Sequence, residues 1–340
     1  MAEAFLRLSG KDRLDALGVA ADRLGRPAHL LEKDVWVVWA IQQLFGSPIG
    51  TNLVFKGGTS LSKAYQVIDR FSEDVDLTFD IRALIPDLLG GREDAMPATS
   101  SEERRWSKRV RQALPEWVAG TVQPILQQAM DREGIDAGLR IDGDKLFIDY
   151  PHLAQGTGYV SPSVMLEFGA RSTGEPASPR DIVCDAASVI EGVEFPTARP
   201  RVMHAERTFW EKATAIHVFC LQNRMRGDRF SRHWHDVARL DDAGIAAAAI
   251  EDRALATAVA RHKTMFFAEK AADATWIDYG TATSGHLQLV PGGDALKALA
   301  DDYGRMVEDG LLASTPEPFG DLMDRCAGIA RRANAAFKPD

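Results

Sequence analysis

Phe55 to Asp80, FKGGTSLSKAYQVIDRFSEDVDLTFD, is the stretch that decides the fold. Leu53-Val54-Phe55 is an apolar run of strand length, and Gly57-Gly58-Thr59-Ser60 breaks it. Leu61, Ala64, Tyr65 and Ile68 then recur at helical spacing. A second strand is expected at Val75–Phe79, where alternation puts Asp74 and Asp76 on the same side. A glycine turn at a helix start offers backbone N–H groups and a positive helix end to a phosphate. Glycine suits that place because a side chain would hold the phosphate away. Two carboxylates just beyond the turn offer hard oxygen ligands to Mg²⁺, which commonly bridges to phosphates instead of sitting in an all-protein cage.

Together these residues resemble the core of the polymerase-β-type nucleotidyltransferases: a Gly-Gly/Ser turn, a short helix, then Asp-x-Asp on the next strand. The fuller string, KGGTSLSK followed by RFSEDVDL, is similar to the AbiEii-like toxins, the nucleotidyltransferase toxins of type IV toxin–antitoxin systems, to which the mycobacterial MenT toxins are related. The match is specific because the glycines, the Ser-Glu-Asp-x-Asp-Leu and the spacing between them all agree. A lone GG or DxD would carry little weight. The resemblance covers roughly residues 30 to 240. It implies an α/β (α+β) fold, a polymerase-β-like nucleotidyltransferase core with a mixed sheet, N-terminal helices and a C-terminal helical domain. The expected divisions are 1–50, 51–200 and 201–340, the last boundary resting on Pro196, Pro200 and a change to helical pattern.

The resemblance also implies a set of site residues. Asp74 and Asp76 would hold Mg²⁺, and Gly57, Gly58, Thr59 and Ser60 would cradle the triphosphate of an NTP through backbone and hydroxyl donors. A third carboxylate is taken in such enzymes from a later strand, and Glu167 in Val164-Met165-Leu166-Glu167-Phe168 is the candidate, as metal ligand or catalytic base. A carboxylate among apolar strand residues is unfavourable unless paired or on a metal; the plain alternative is a glutamate facing solvent or pairing with Arg171. Lys212, in the helix ERTFWEKATAIHVF, matches a family lysine that contacts the nucleotide. Otherwise its stem would lie on the core and its amine reach water. Asp236 matches a late family aspartate that orients Lys212 or acts on the acceptor hydroxyl; an ordinary helix ion pair is the alternative. His233 and His235, at i and i+2 on a helix, face apart and are not expected to share an ion. Arg70 and Arg171 are further candidates for phosphate contact. Glu32-Lys33-Asp34 is similar to a segment preceding the family core, but an acid-biased first helical turn suiting the helix dipole is the preferred reading.

Around that core the chain reads as helical over Ala2 to roughly Ser47, interrupted at Pro27, and again over Glu102–Arg132 with breaks at Pro115 and Pro124. Strands are expected at Leu139–Ile141, Lys145–Tyr150 and Ser163–Phe168, with Asp142-Gly143-Asp144 as a hairpin turn. Helices follow at Glu206–Phe219, Phe230–Leu240, Ala243–Met265, Asp294–Leu311 and Phe319–Phe337, with Trp276–Leu289 as a connector.

The 340 residues suffice for a sizeable core, and 45% hydrophobic with 26% charged residues is ordinary for a soluble globular protein. No apolar run approaches the roughly 18 residues of a spanning helix, so no membrane is expected. The charged N-terminus lacks the apolar centre of a signal peptide. Cys184, Cys220 and Cys326 form no CxxC, which excludes a zinc ribbon and a disulfide framework. A reduced cytoplasmic protein is expected. The net charge of −9, from 40 basic and 49 acidic residues, argues against broad nucleic-acid binding but permits a local basic groove. Arg104, Arg105, Lys108, Arg109 and Arg111 form one basic cluster; Arg224, Arg226, Arg229 and Arg232 form another. The plain reading of both is solvated helix faces and loops.

The function implied by the resemblance is a Mg²⁺-dependent toxin that transfers a nucleotide from an NTP to an RNA acceptor, the tRNA 3′ end in related toxins, and so blocks translation. A role in phage defence goes with it, as does a neighbouring antitoxin that need not bind stably. Two other classes stand beside it: a nucleotidyltransferase that modifies a protein or small molecule, and a non-catalytic nucleotide-binding module.

Overall fold

A computed structural model of the chain describes residues 3–72, 74–154, 161–224, 229–308, 312 and 315–337. The chain forms two compact units. One comprises Met1–Ala64, Ser72–Ala95 and Arg105–Met203, the other Tyr65–Phe71, Met96–Arg104 and His204–Asp340.

The first unit opens with α1 (Gly10–Leu24) and α2 (Ala28–Phe45). Ser9 caps α1 by accepting from the Asp12 N–H, and Gly25 ends it in the left-handed region at φ 64°. Then come β1 (Leu53–Lys56), α3 (Gly57–Lys63), β2 (Val75–Phe79), α4 (Ser100–Trp117), α5 (Gln123–Glu133), β3 (Gly138–Asp142), β4 (Lys145–Asp149), β5 (Ser163–Gly169), β6 (Ala177–Pro179) and β7 (Arg201–Met203). The strands form a seven-stranded mixed sheet in the order β3-β4-β5-β2-β1-β7-β6. The β2/β5 and β1/β7 pairs are parallel and the other four antiparallel.

Alternation gives this sheet two unlike faces. Val75, Leu77 and Phe79 of β2 lie in register with Leu166 and Phe168 of β5 and with Phe55 and Leu53 of β1, and all are buried. Trp117 of α4 stacks on Phe79 with ring centroids 4.1 Å apart and meets Phe168 edge-on at 5.5 Å. These helix–sheet contacts cover one face. The other face carries the charged residues of the candidate site.

The second unit is helical: α6 (Ala205–Gln222), α7 (Ser231–Asp242), α8 (Ile245–Glu251), α9 (Arg253–Phe266), α10 (Gly293–Glu308) and α11 (Phe319–Ala336). Its two fully buried indoles both satisfy their N–H groups: Trp210 donates to the Ala249 carbonyl at 2.8 Å and Trp234 to that of Leu289 at 2.7 Å. Among the described residues no helix is long and apolar enough to cross a membrane.

Several elements differ from expectation. The helix after the glycine turn stops at Lys63, short of Ile68, because Gln66 takes a left-handed φ of 54° and Tyr65–Phe71 joins the second unit. Pro115 lies inside α4 without ending it, and a π turn over Val118–Val122 follows before α5. Pro124 falls in the first turn of α5, where its lack of an N–H is harmless. The Ala243–Met265 segment is two helices, parted at Asp252, whose carboxylate accepts from the Leu255 N–H and caps the second.

Candidate active site

Each unit contributes a separate group of the expected residues. In the first unit the glycine turn is built around a single carboxylate. Gly57 has φ 78°, and a Cβ placed there would fall 2.0 Å from Oδ2 of Asp76 and 2.8 Å from its Cγ. Any side chain at this position would occupy the space the carboxylate fills, so glycine is required for the carboxylate as well as for the backbone angle. The Thr59 and Ser60 side chains are 1% and 0% exposed. Thr59 donates to the Asp74 carbonyl, with Ser72 Oγ 3.0 Å away, and Ser60 donates to the Gly57 carbonyl at 2.9 Å. Both hydroxyls therefore brace the turn and fix the backbone of Asp74. That placement departs from the expectation that they would reach out to phosphate, which leaves backbone N–H groups as the donors the turn can offer.

Across the sheet, register puts charges side by side. Lys56 of β1 pairs with Asp76 of β2, Asp76 with Glu167 of β5, and Glu167 with Lys145 of β4. Direct register partners share a face at a strand spacing of about 4.8 Å, so four neighbouring strands present Lys56, Asp76, Glu167 and Lys145 as one row. Lys145 Nζ lies 3.1 Å from Glu167 Oε2, the two side chains being 36% and 44% exposed. The hydrogen bond to Glu167 raises the Lys145 pKa. Burial opposes this, and the charges of Glu167, Asp144 and Asp74 add to it, so Asp74 lies within electrostatic reach of the same amine. Glu167 thus pairs with Lys145, where the plain alternative had named solvent or Arg171.

An all-carboxylate donor set suits a hard divalent cation. Asp76 and Glu167, adjacent on one sheet face with Asp74 two residues before Asp76, fit Mg²⁺ in the form that takes one or two protein carboxylates and completes its shell with phosphates and water. Among the described residues, no three His, Cys, Asp or Glu side chains group closely enough to hold a metal by themselves.

In the second unit, Asp236 of α7 is fully buried. Arg70 grips it with two hydrogen bonds of 2.7 Å, from Nε to Oδ1 and from Nη2 to Oδ2, and Lys212 Nζ of α6 lies 2.9 Å from Oδ2. Burial would raise the Asp236 pKa, but the Arg70 and Lys212 charges outweigh it and hold the carboxyl well below its usual range. His235 bridges two acids, with Nε2 3.0 Å from Asp69 and Nδ1 3.4 Å from Asp236. Burial lowers the His235 pKa, and the bonds to Asp236 and Asp69 more than offset it, so the net shift is upward. Burial instead lowers His233 to about 3, helped by Lys212. The two imidazoles thus have unlike surroundings.

Two expectations change here. Arg70, expected to reach phosphate, is buried and committed to Asp236. Asp236 touches no solvent, so its placement favours orienting Lys212 over acting on an acceptor hydroxyl. Sequence reading missed the Arg70–Asp236 pair because its members stand 166 residues apart.

Glu32-Lys33-Asp34 is also not what the helix-dipole reading expected. The helix begins at Ala28, which puts these residues beyond its first turn, and all three are buried. Glu32 accepts from the Leu153 and Ala154 N–H groups, and Lys33 donates to the Ser161 carbonyl. Asp34 accepts from the Asp185 N–H and pairs with Lys63 at the end of α3. The segment pins three connections to α2. Of the basic clusters, Arg104, Arg105, Lys108, Arg109 and Arg111 are exposed on α4. Arg224 is exposed, Arg229 and Arg232 are half-buried, and Arg226 lies outside the described residues, as does Glu73 of the acidic motif.

Residues 39–325 match the family described as nucleotidyl transferase AbiEii toxin, type IV TA system, and the chain belongs to that family. It is therefore a nucleotidyltransferase, with an NTP as substrate and a cognate antitoxin implied by the type of system. No curated protein matches it in sequence. Among solved structures it is similar to JHP933 from Helicobacter pylori, with 17% identity over 89% of this chain and 90% of that one, TM-score 0.39. It is similar too to MenT4, a nucleotidyltransferase toxin from Mycobacterium tuberculosis, with 17% identity over 95% and 99% of the two chains, TM-score 0.38.

Proposed function

We propose that the protein transfers a nucleotide from an NTP to an RNA acceptor, the tRNA 3′ end, in a Mg²⁺-dependent reaction that blocks translation. The observation that carries this reading is the Asp76 carboxylate seated in the space a Gly57 side chain would fill, in register with Glu167. In this reading the chain's own groups do most of the positioning. Gly57 and Gly58 let the triphosphate approach the backbone N–H groups of the turn, and Thr59 and Ser60 hold the turn rigid. Asp74, Asp76 and Glu167 would hold Mg²⁺, which supplies charge stabilisation to the phosphate oxygens as the α-phosphate is attacked and pyrophosphate leaves. Lys212 binds nucleotide phosphate as a point charge, and Asp236, held by Arg70, sets its direction. The exposed cations Arg105, Lys108, Arg109 and Arg111 of α4 support a polyanionic acceptor, because a chain of net charge −9 gathers positive charge on this helix face. Neutralisation is by a cognate antitoxin that need not bind the protein stably, in the cytoplasm.

The test uses purified protein, Mg²⁺, each α-³²P-labelled NTP in turn and total cellular RNA, with an Asp74→Ala, Asp76→Ala double variant as control. Label entering tRNA-sized RNA with the wild type only is expected, and identifies the base. Label on a protein or small molecule would replace the RNA reading. NTP binding with no transfer to any acceptor would leave a nucleotide-binding module.

A further inference from the structure

The row of charges on the open sheet face holds two members, Lys56 and Lys145, that the chemistry above does not use. Lys145 stands directly opposite Glu167 in the β4/β5 ladder and its amine lies 3.1 Å from Oε2. Its place is fixed twice over. The Asp142-Gly143-Asp144 turn, with Gly143 at φ 61°, sets the start of β4, and the Phe168 N–H donates to the Asp144 carbonyl at 3.0 Å, locking that start to β5. Glu167 in turn pairs with Asp76 on its other side. Two adjacent carboxylates on one face repel unless a cation lies beside them; here lysines stand in register at both ends, Lys56 opposite Asp76 and Lys145 opposite Glu167, with the Lys145 amine on the carboxylate.

We propose that Lys145 is the positioning residue of Glu167 and its resident counter-cation, offsetting the Glu167 charge before metal arrives and competing with a divalent ion for Glu167. The inference rests on the metal-dependent reading of the site above. Lys145 keeps Glu167 aimed along the sheet face and keeps the empty carboxylate pair from distorting β2 and β5. A divalent ion must then draw Glu167 away from the amine, so metal binds more weakly than the carboxylates alone would allow. Loading therefore depends on the extra negative charge that a nucleotide triphosphate brings.

The experiment measures Mn²⁺ binding by the full chain, from the free-ion electron paramagnetic resonance signal, without nucleotide. Wild type is compared with Lys145→Met, Lys145→Arg, Glu167→Gln and the Lys145→Met, Glu167→Gln double variant; melting temperatures confirm folding. Lys145→Met is expected to bind Mn²⁺ more tightly by about fivefold, the lower end of ordinary coupling between two bound species. Lys145→Arg keeps the charge and stays near wild type. In the double variant the gain disappears, because Lys145 acts through Glu167. The melting temperature of metal-free Lys145→Met drops and recovers when Mn²⁺ is added, which a merely structural lysine would not produce. Unchanged or weaker Mn²⁺ binding by Lys145→Met overturns the proposal. If wild type and Asp76→Ala bind Mn²⁺ alike, the metal reading of the carboxylates itself fails and takes the proposal with it. If they differ but Lys145→Met does not, only the lysine's role is lost.

Discussion

Replacing Gly57 by alanine tests whether the glycine turn exists for the Asp76 carboxylate or only for its own backbone angle. Gly57 and Gly91 share φ 78°, so an alanine at either incurs the same left-handed backbone penalty, about 1–2 kcal/mol. Around Gly91 nothing lies within 4 Å of an added Cβ, whereas at Gly57 the Asp76 Oδ2 would stand 2.0 Å away. Ordinary contact begins at 3.4 Å, so the oxygen must retreat by 3.4 − 2.0 = 1.4 Å. A misplacement of that order at a reacting centre can slow chemistry by roughly 100-fold. Gly91→Ala should therefore melt about 2–8 °C below wild type and Gly57→Ala at least as low, while their catalysis separates. Nucleotide transfer by Gly91→Ala stays near wild type and that by Gly57→Ala falls roughly 100-fold. Label transfer and thermal melting on the same preparations give both numbers. If Gly57→Ala stays within about threefold of Gly91→Ala in transfer, the carboxylate does not need the space the glycine leaves, and the argument from the turn to the chemistry is refuted.

Asp236→Asn leaves the buried Arg70 and Lys212 charges without their carboxylate, and is expected to destabilise by about 3–5 kcal/mol in denaturant titration. Because the folded pKa of Asp236 lies well below 3.8, its contribution is present above that value and is lost only as the pH falls through the folded pKa, so the deficit should be flat with pH above about 4. His217 gives a slope of the same sign in a higher pH window. Its Nδ1 accepts from the Gln288 N–H and its Nε2 meets Thr281 Oγ1, both at 3.1 Å, and burial with the His286 charge lowers its pKa from 6.5 to about 4. Between those values the unfolded chain binds the proton and the folded chain does not, so acidification through the window removes up to about 3 kcal/mol. His217→Gln should flatten that part of a melting-temperature profile taken from pH 7 to pH 4; an unchanged slope would mean the imidazole titrates alike in both states.

How far the site could be read in advance depends on how local each relation is. The turn at Gly57, the strand at Val75–Phe79 and the shared side of Asp74 and Asp76 follow from neighbours a few residues apart, and the fold class follows from the resemblance these residues carry. Helix ends were less legible: Lys63 rather than Ile68 closes α3 because Tyr65–Phe71 joins the other unit, a tertiary cause with no local sign except the polar Gln66. Thr59 and Ser60 looked like phosphate donors because hydroxyls after glycines often are. The Thr59 hydroxyl is instead taken by Ser72 and Asp74 and that of Ser60 by the Gly57 carbonyl, partners that spacing did not announce. The buried Glu32-Lys33-Asp34 was misread for a similar reason, since its partners lie on connections more than 25 residues away.

The charged row shows where legibility ends within a single sheet. The Asp142–Asp144 turn makes Asp142 and Lys145 partners, so β3 against β4 could be aligned by eye. Between β4 and β5 the chain runs from Asp149 to Ser163, a connection with no turn rule to set register. A slip of one residue there would send Lys145 opposite Leu166 or Phe168 and leave Glu167 without it. Register is held by Leu146 and Ile148 facing Leu166 and Val164 on the buried side. The apolar face thus decides which charges meet on the open one, and the Lys145–Glu167 pair is a consequence of core packing that the charged residues could not have announced.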